Sequence, residues 1–408
     1  GIIKMDKSMS VSVVTMDESK SDSMFKWKRK YSLVKDIIGS DGGVRLIGTH
    51  VKLCGQVHSI KRLQPAFIHL VDGSTPYHVQ LTVPDKFNVS GVTKDSTVVA
   101  SGTIVESPKK NQLIEVLVDD FTSYGGCETS KYKLAGYKQT REILLKVPHL
   151  RSRHRYLSAV FKVRDLLSQA VHQFYREREF MYVHTPILTS GDCEGAGEMF
   201  TVTTQDLSKK IDSKKPFKKD FFGKKVGLTV SGQLQVEAFA KSHQETYTFG
   251  PTFRAENSHT SRHLAEFWMI EPELVTDKLS DVMDLAEDFV KYCIKAVIDT
   301  PQIKFLDERS GGLIGRLRST LETDFKRITY TKAVELLVES KVEFDIPINW
   351  GVELESEHEK WLTKHFKKPV IAYNYPKDFK AFYMKQNKDG RTVQSMDLLV
   401  PGIGELIG

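Results

Sequence analysis

"TFRAENSHTSRHLAEFWMIEPE", residues 252–273, sets Arg254, Glu256, Arg262, His263, Glu271 and Glu273 among aromatic and aliphatic side chains around a polar centre. Read as a strand, 247–256 puts Phe249, Phe253 and Ala255 on one face and Arg254 and Glu256 on the other. Residues 264–273 read as its antiparallel partner, with Phe267, Met269, Glu271 and Glu273 opposite Trp268 and Ile270. The loop "NSHTSRH" between them supplies Arg262 and His263. With the charged faces aligned, Arg254, Glu256 and Glu271 meet above a sheet beside an aromatic ring. Charges there need a partner or a ligand, because unpaired burial is costly. The residues alone leave two readings open: a structural Arg–Glu network, or a site that holds a phosphate, a cation and a polar ligand.

Outward from this hairpin the texture is α/β. "AVFKVRDLLSQAVHQFYRERE" carries Val160, Val163, Leu167, Val171 and Phe174 at helical spacing, which predicts an amphipathic helix. "FMYVHTPILT" reads as a strand, and Pro186 inside it makes that strand an edge or an irregular one. After the strand "GLTVS" a helix starts near Gln233, and further helices are predicted over 279–298 and near 331–340. Toward the N-terminus the period changes to two. "VKLCGQV", "AFIHLVDGSTPYHVQLTV" with its Asp72-Gly73-Ser74 turn, and "STVVASGTIVES" predict several short strands with little helix between them. That pattern suggests a small closed barrel, an OB-fold that binds single-stranded nucleic acid, or a sandwich of similar size. The expected organisation is a flexible basic tail over 1–30, the barrel over 31–122, a linker over 123–145 and an α/β domain over 146–408.

A length of 408 residues exceeds one ordinary core, and 40% hydrophobic with 27% charged residues is the composition of a soluble globular protein. No apolar run is long enough to span a bilayer, and the first residues lack the apolar core of a signal peptide. Cys54, Cys127, Cys193 and Cys293 are far apart and form no CxxC pair, so a zinc site or disulfide framework is not expected and a reducing, cytoplasmic location fits. The net charge of +7 hints at a polyanionic partner. Eight Lys against three Asp crowd into "DLSKKIDSKKPFKKDFFGKK", 206–225, which is either a solvated loop or a contact to a phosphate backbone. "MFKWKRKY", 24–31, poses the same choice.

The hairpin resembles motif 2 of the class II aminoacyl-tRNA synthetases, in the aspartyl/asparaginyl/lysyl subgroup, and more narrowly its asparaginyl members. "PILTSGDCEGAGEMF" follows a first helix and strand that resemble motif 1, and "LTVSGQLQVEAFA", "YTKAVELL", "KPVIAYNYPKDFKAFYM" and "MDLLVPGIGELIG" agree with the same family. The resemblance implies an N-terminal five-stranded OB-fold that binds the anticodon. It also implies a catalytic domain built on an antiparallel sheet flanked by helices, working as a homodimer through the 160–190 helix and strand. It further implies activation of L-asparagine by ATP with Mg2+, then transfer to the 3′ end of tRNA(Asn), with no membrane involved.

Residue by residue, the resemblance implies that Arg254 bridges the substrate carboxylate and the α-phosphate. Glu256 then contacts the adenine end, Phe267 stacks on the base, Arg262 and His263 reach the distal phosphates, and Leu264 belongs to the same ATP-binding set. Glu405 holds magnesium, with Asp397 a second candidate, and hard oxygen ligands suit that ion. Glu194, Ser231, Gln233 and Glu271 surround asparagine. Glu271 accepts from an amide and repels a carboxylate, which separates asparagine from aspartate. An aspartyl-specific enzyme and a non-catalytic RNA-binding paralogue are the alternatives. The family's third motif, with its ATP-binding arginine, would follow Gly408, so the expectation is a piece of a longer chain that is inactive and aggregation-prone by itself.

Overall fold

A computed structural model describes residues 27–109, 112–134, 139–193, 199–209, 213–257 and 263–408. The tail expected over 1–30 lies outside the described residues up to position 26. The chain divides into two compact units, one through Phe161 and one from Lys162.

The first unit begins with a short helix, α1 (Val34–Ile38), followed by strands β1 (His50–Lys61), β2 (Ala66–Val71), β3 (Val79–Val83), β4 (Thr97–Glu106) and β5 (Ile114–Gly125). They close in the order β1-β2-β3-β5-β4. The period-two pattern is the cause: in β2, Ala66, Ile68 and Leu70 face the core while Phe67, His69 and Val71 lie half-exposed. Closure comes from the parallel pair β3–β5, where Leu81 meets Val116, and it leaves no open edge. Leu53, Val57, Ile68, Leu70, Leu81, Ile104 and Val116 fill the interior. The strands approach most closely at Gly102, where a Cβ would lie 2.2 Å from the Leu117 carbonyl oxygen, and at Gly55, where it would lie 2.4 Å from that of Val71. The predicted Asp72-Gly73-Ser74 turn is present, and its side chains accept from the first amides of α1, Val34 N–H to Asp72 at 2.8 Å and Lys35 N–H to Ser74 at 3.0 Å. The five-stranded barrel is thus the OB-type architecture rather than a sandwich. Beyond it comes α2 (Arg141–Leu145). Leu134 and Leu144, within the stretch read as a linker, bury with Val147.

Helix α3 (Arg155–Glu177) buries Val171, Phe174 and Tyr175. The stretch read as one strand around Pro186 forms two short ones, β6 (Met181–Tyr182) and β7 (Leu188–Thr189), because proline donates no ladder hydrogen bond. Next come β8 (Thr201–Val202), β9 (Val226–Leu228), α4 (Gln233–His243), β10 (Glu245–Phe253) and β11 (Glu266–Leu274). They make the sheets β7-β9-β8 and β11-β10-β6. Helices α5 (Leu279–Val297), α6 (Pro301–Ser310) and α7 (Leu313–Glu322) follow. The last part holds β12 (Lys326–Thr329), α8 (Tyr330–Glu339), α9 (Ser356–Phe366), β13 (Val370–Tyr373), β14 (Met396–Val400) and β15 (Gly404–Ile407), with the strands in sheet order β12-β13-β14-β15. Pairing is mostly antiparallel, although β6–β10 and β12–β13 run parallel.

Side-chain caps start two of these helices. Thr300 accepts from Ile303 N–H and precedes Pro301, and Thr329 accepts from Lys332 N–H. Strand β13 is buried on both faces. Val370 and Ala372 pack with Tyr330, Leu337 and Leu362, while Ile371 packs with Met283, Val290 and Leu398. Helices therefore cover this sheet on both sides. Among the described residues no helix is long and apolar enough to cross a membrane.

Candidate active site

The register of the β10–β11 hairpin builds the site floor. Thr246 opposes Glu273, Thr248 opposes Glu271, Gly250 opposes Met269 and Thr252 opposes Phe267, so these residues share one face. Strand β10 ends at Phe253, earlier than the expected residue 256, but Arg254 N–H still donates to the Ala265 carbonyl at 3.1 Å. The Arg254 side chain thereby stays beside Phe267, its Cζ 5.5 Å from the ring centroid. Its Nε is buried without a hydrogen-bond partner. Among the described residues no carboxylate lies within ion-pair distance of Arg254, and the Arg–Glu network considered above is not formed there. A half-buried guanidinium with an unused donor is a ready receptor for an anion.

Glu271 organises the turn before α4. Its carboxylate accepts from Ser231 Oγ and from Gly232 N–H, the latter at 2.9 Å, and Ser231 Oγ accepts from Gln233 N–H at 3.0 Å. Glycine is required at 232, where a Cβ would lie 2.8 Å from both Thr185 Oγ1 and Thr248 Cγ2. The turn sends Gln233 out at the helix start, and its amide is held from three sides. Nε2 donates to Glu237 at 3.0 Å and to Tyr383 Oη at 3.1 Å, and the Cys193 thiol donates to Oε1 at 3.6 Å. Burial first, then the Glu237 and Glu271 carboxylates, push Glu273 up to about 7. Glu271 and Glu273 on the hairpin and Glu237 on α4 thus gather acids whose chemistry suits an ammonium group or an amide NH2.

The raised Glu273 carboxyl has a signed consequence. The unfolded chain releases this proton near the ordinary 4.5, whereas the fold retains it to about 7. Stability is therefore lost as pH rises between those values. Glu273→Gln should remove that loss, so its melting temperature should fall less between pH 5 and pH 8 than that of the unaltered protein. Equal slopes in the two proteins would show that Glu273 titrates as an ordinary acid.

A second group lies toward β15. Arg254, Phe267 and Glu405 line one groove of about 1900 Å3, with an apolar wall from α5 and mixed polar and apolar side chains from α7, α9 and β15. The Glu405 amide donates to Glu359 at 3.0 Å, and Lys380 Nζ stands 3.7 Å from Asp397. Partial desolvation, followed by Asp397 and Glu359 nearby, raises the Glu405 carboxyl above its ordinary value. Acids that repel one another at a groove wall fit a hard cation. Among the described residues, however, no three His, Cys, Asp or Glu side chains converge as a metal site.

The expected residues thus fall into two groups, Arg254 with Phe267 and Glu405, and Ser231 with Gln233 and Glu271, joined by the shared face of β11. Glu256, His263 and Leu264 are exposed on the chain flanking the hairpin loop. Glu194 and Arg262 lie outside the described residues. Sequence reasoning missed Tyr383, Glu237 and Cys193. Tyr383 stands in "KAFYM", one of the stretches that carried the resemblance, but only folding brings it to Gln233, 150 residues away.

Comparison with known proteins agrees with this geometry. The family described as tRNA synthetases class II (D, K and N) matches residues 140–408. The asparagine–tRNA ligase of Cytophaga hutchinsonii is 49% identical over 354 residues, which are 84% of this chain and 76% of that protein. The ligase of the same name from Clostridium acetobutylicum is 46% identical over 373 residues, covering 88% of this chain and 80% of that one. Among solved structures, asparaginyl-tRNA synthetase from Pyrococcus horikoshii complexed with asparaginyl-adenylate superposes with a TM-score of 0.77 at 26% identity, covering 92% of this chain and 81% of that one. A barrel followed by helix-covered sheets, a hairpin carrying an arginine above a phenylalanine, and relatives approaching half identity lead to one assignment: the chain belongs to the class II tRNA synthetases of the D, K and N group.

Proposed function

We propose that the chain activates L-asparagine with ATP and transfers it to the 3′ end of tRNA(Asn). The observation that carries this reading is Glu271, an acid on the hairpin floor locked to the Ser231-Gly232-Gln233 turn. Asparagine binds over this turn, with its ammonium near Gln233 Oε1 and its side-chain amide donating to Glu271. Aspartate meets a carboxylate instead, and like charge at short range opposes its binding.

In the first step an oxygen of the asparagine carboxylate attacks the α-phosphorus of ATP, the bond to the bridging oxygen breaks, and pyrophosphate leaves. Arg254 spans the attacking carboxylate and the α-phosphate, its planar fork donating to both, so charge developing at phosphorus meets a fixed cation. Phe267 supplies a face for the adenine. Glu405 and Asp397 are the residues that would hold Mg2+, which when bound neutralises the ATP phosphates. In the second step a hydroxyl of the terminal ribose attacks the adenylate carbonyl, and AMP departs with the bonding pair. Positioning and electrostatics carry both steps, so little acid–base chemistry is asked of the side chains. The OB barrel is the anticodon-binding module in this reading. The protein works as a homodimer through the 160–190 region, where Tyr182, Ile187 and Leu188 are exposed.

The test is ATP–pyrophosphate exchange with each amino acid in turn, measured on the full-length protein. Exchange should depend on asparagine and not on aspartate. Exchange driven by aspartate, or by no amino acid, would remove the assignment.

A further inference from the structure

We propose that the lysine- and phenylalanine-bearing loop 213–225 docks the single-stranded 3′ end of the RNA substrate, its lysines on the phosphates and Phe221 against a base. The proposal rests on the ligase reading above and adds a contact surface to it.

The loop is held in shape. Gln205 Nε2 donates to the Pro216 carbonyl at 2.7 Å, and Asp220 Oδ1 accepts from Thr204 N–H, Thr204 Oγ1 and Phe221 N–H at 3.0, 2.8 and 2.8 Å. Turn hydrogen bonds add Lys218 N–H to Lys215 O and Asp220 N–H to Phe217 O. These bonds turn Asp220 inward, where it is buried. Asp206 pairs with Lys209. Lys215, Lys218, Lys219 and Lys225 are exposed, and among the described residues none has a carboxylate within ion-pair distance. Cations fixed on turns without their own anions form a surface complementary to a polyanion.

Phe221 is 76% exposed and Phe222 46%, and their rings meet edge-on at 4.8 Å. A solvated loop has no use for two such rings, whereas a single strand offers bases to stack on them. Position supplies the destination. The loop lies between β8 and β9, and β9 leads into Ser231-Gly232-Gln233. Lys224 Nζ donates to Ser190 Oγ at 3.0 Å, three residues from the Cys193 that touches Gln233. Of the two polyanions in the ligase reading, ATP lies with Arg254 and Phe267, which leaves the acceptor end of tRNA as the one to run along this loop.

The experiment compares Phe221→Ala and the triple substitution Lys215→Gln, Lys218→Gln, Lys219→Gln with the unaltered protein. Binding is measured to a tRNA(Asn) transcript and to the same transcript lacking its 3′ single-stranded nucleotides, across a salt series. Neutralising three lysines should reduce the salt slope by about 2, from roughly 0.7 per phosphate contact on a single strand. Phe221→Ala should weaken binding roughly tenfold by loss of one stacked base. Both effects should vanish on the shortened transcript. Asparagine-dependent exchange, measured for each variant in the full-length protein, reports on the fold and on the ligase reading separately: its absence from the unaltered full-length protein defeats that reading. Unchanged slope and affinity on the full transcript defeat the docking surface, as do equal losses on both transcripts. Binding of the loop to anionic lipid vesicles in preference to RNA would also overturn it.

Discussion

Arg254→Ala should slow asparagine-dependent ATP–pyrophosphate exchange by a factor of roughly a hundred to a thousand, the loss seen when one preorganised charge donor is removed from a reacting centre. The melting temperature should hardly move. Arg254 has no carboxylate partner among the described residues, its Nε donor is unused, and its contact with Phe267 is a cation over a ring at 5.5 Å. Such a contact contributes only about 0.5–1 kcal/mol where it is exposed. Arg254→Lys keeps the charge but loses the planar fork, so it should restore only part of the rate. If Arg254→Ala instead lowered the melting temperature sharply and left the exchange rate of the surviving folded protein intact, the arginine would belong to the scaffold.

The second large effect is expected at Glu271. Glu271→Gln removes the charge that opposes aspartate, so the preference for asparagine should fall by at least about tenfold, a change of about 1.4 kcal/mol. The same substitution disturbs the 231–233 turn, because one half of the new amide is a donor facing the donors Ser231 Oγ and Gly232 N–H. Ser231→Ala separates these contributions. It removes one hydrogen bond to a charged group, worth about 1.5–3 kcal/mol, but leaves the carboxylate in place. Ser231→Ala should raise KM for asparagine while keeping aspartate excluded, whereas Glu271→Gln should admit aspartate. Identical selectivity in the two variants would make Glu271 a holder of the turn and nothing more.

Much of this molecule is legible along the chain. Alternation in 51–57, 66–83 and 96–107 marks the barrel strands, since a period of two has only one way to bury its apolar half. The same parity, read across 252–273, places Phe267 and Glu271 on a common face, as the register of β10 with β11 does, while Arg254, just past the end of β10, reaches Phe267 through its guanidinium. Long amphipathic helices at 155–177 and 279–297 announce themselves by spacing. Shorter helices at 301–310, 313–322 and 356–366 do not, because a few turns with mixed polarity, and Gly315 in one of them, carry little periodic signal. Local order and facing direction are thus properties of the sequence itself. What only the tertiary structure decided is which distant groups meet: Glu271 on the turn at 231–233, Tyr383 on Gln233, and Glu405 beside Asp397 and Glu359. Those encounters depend on how sheets and helices bury one another, and no pattern of neighbouring residues encodes a hydrogen bond that closes a loop of 150 residues.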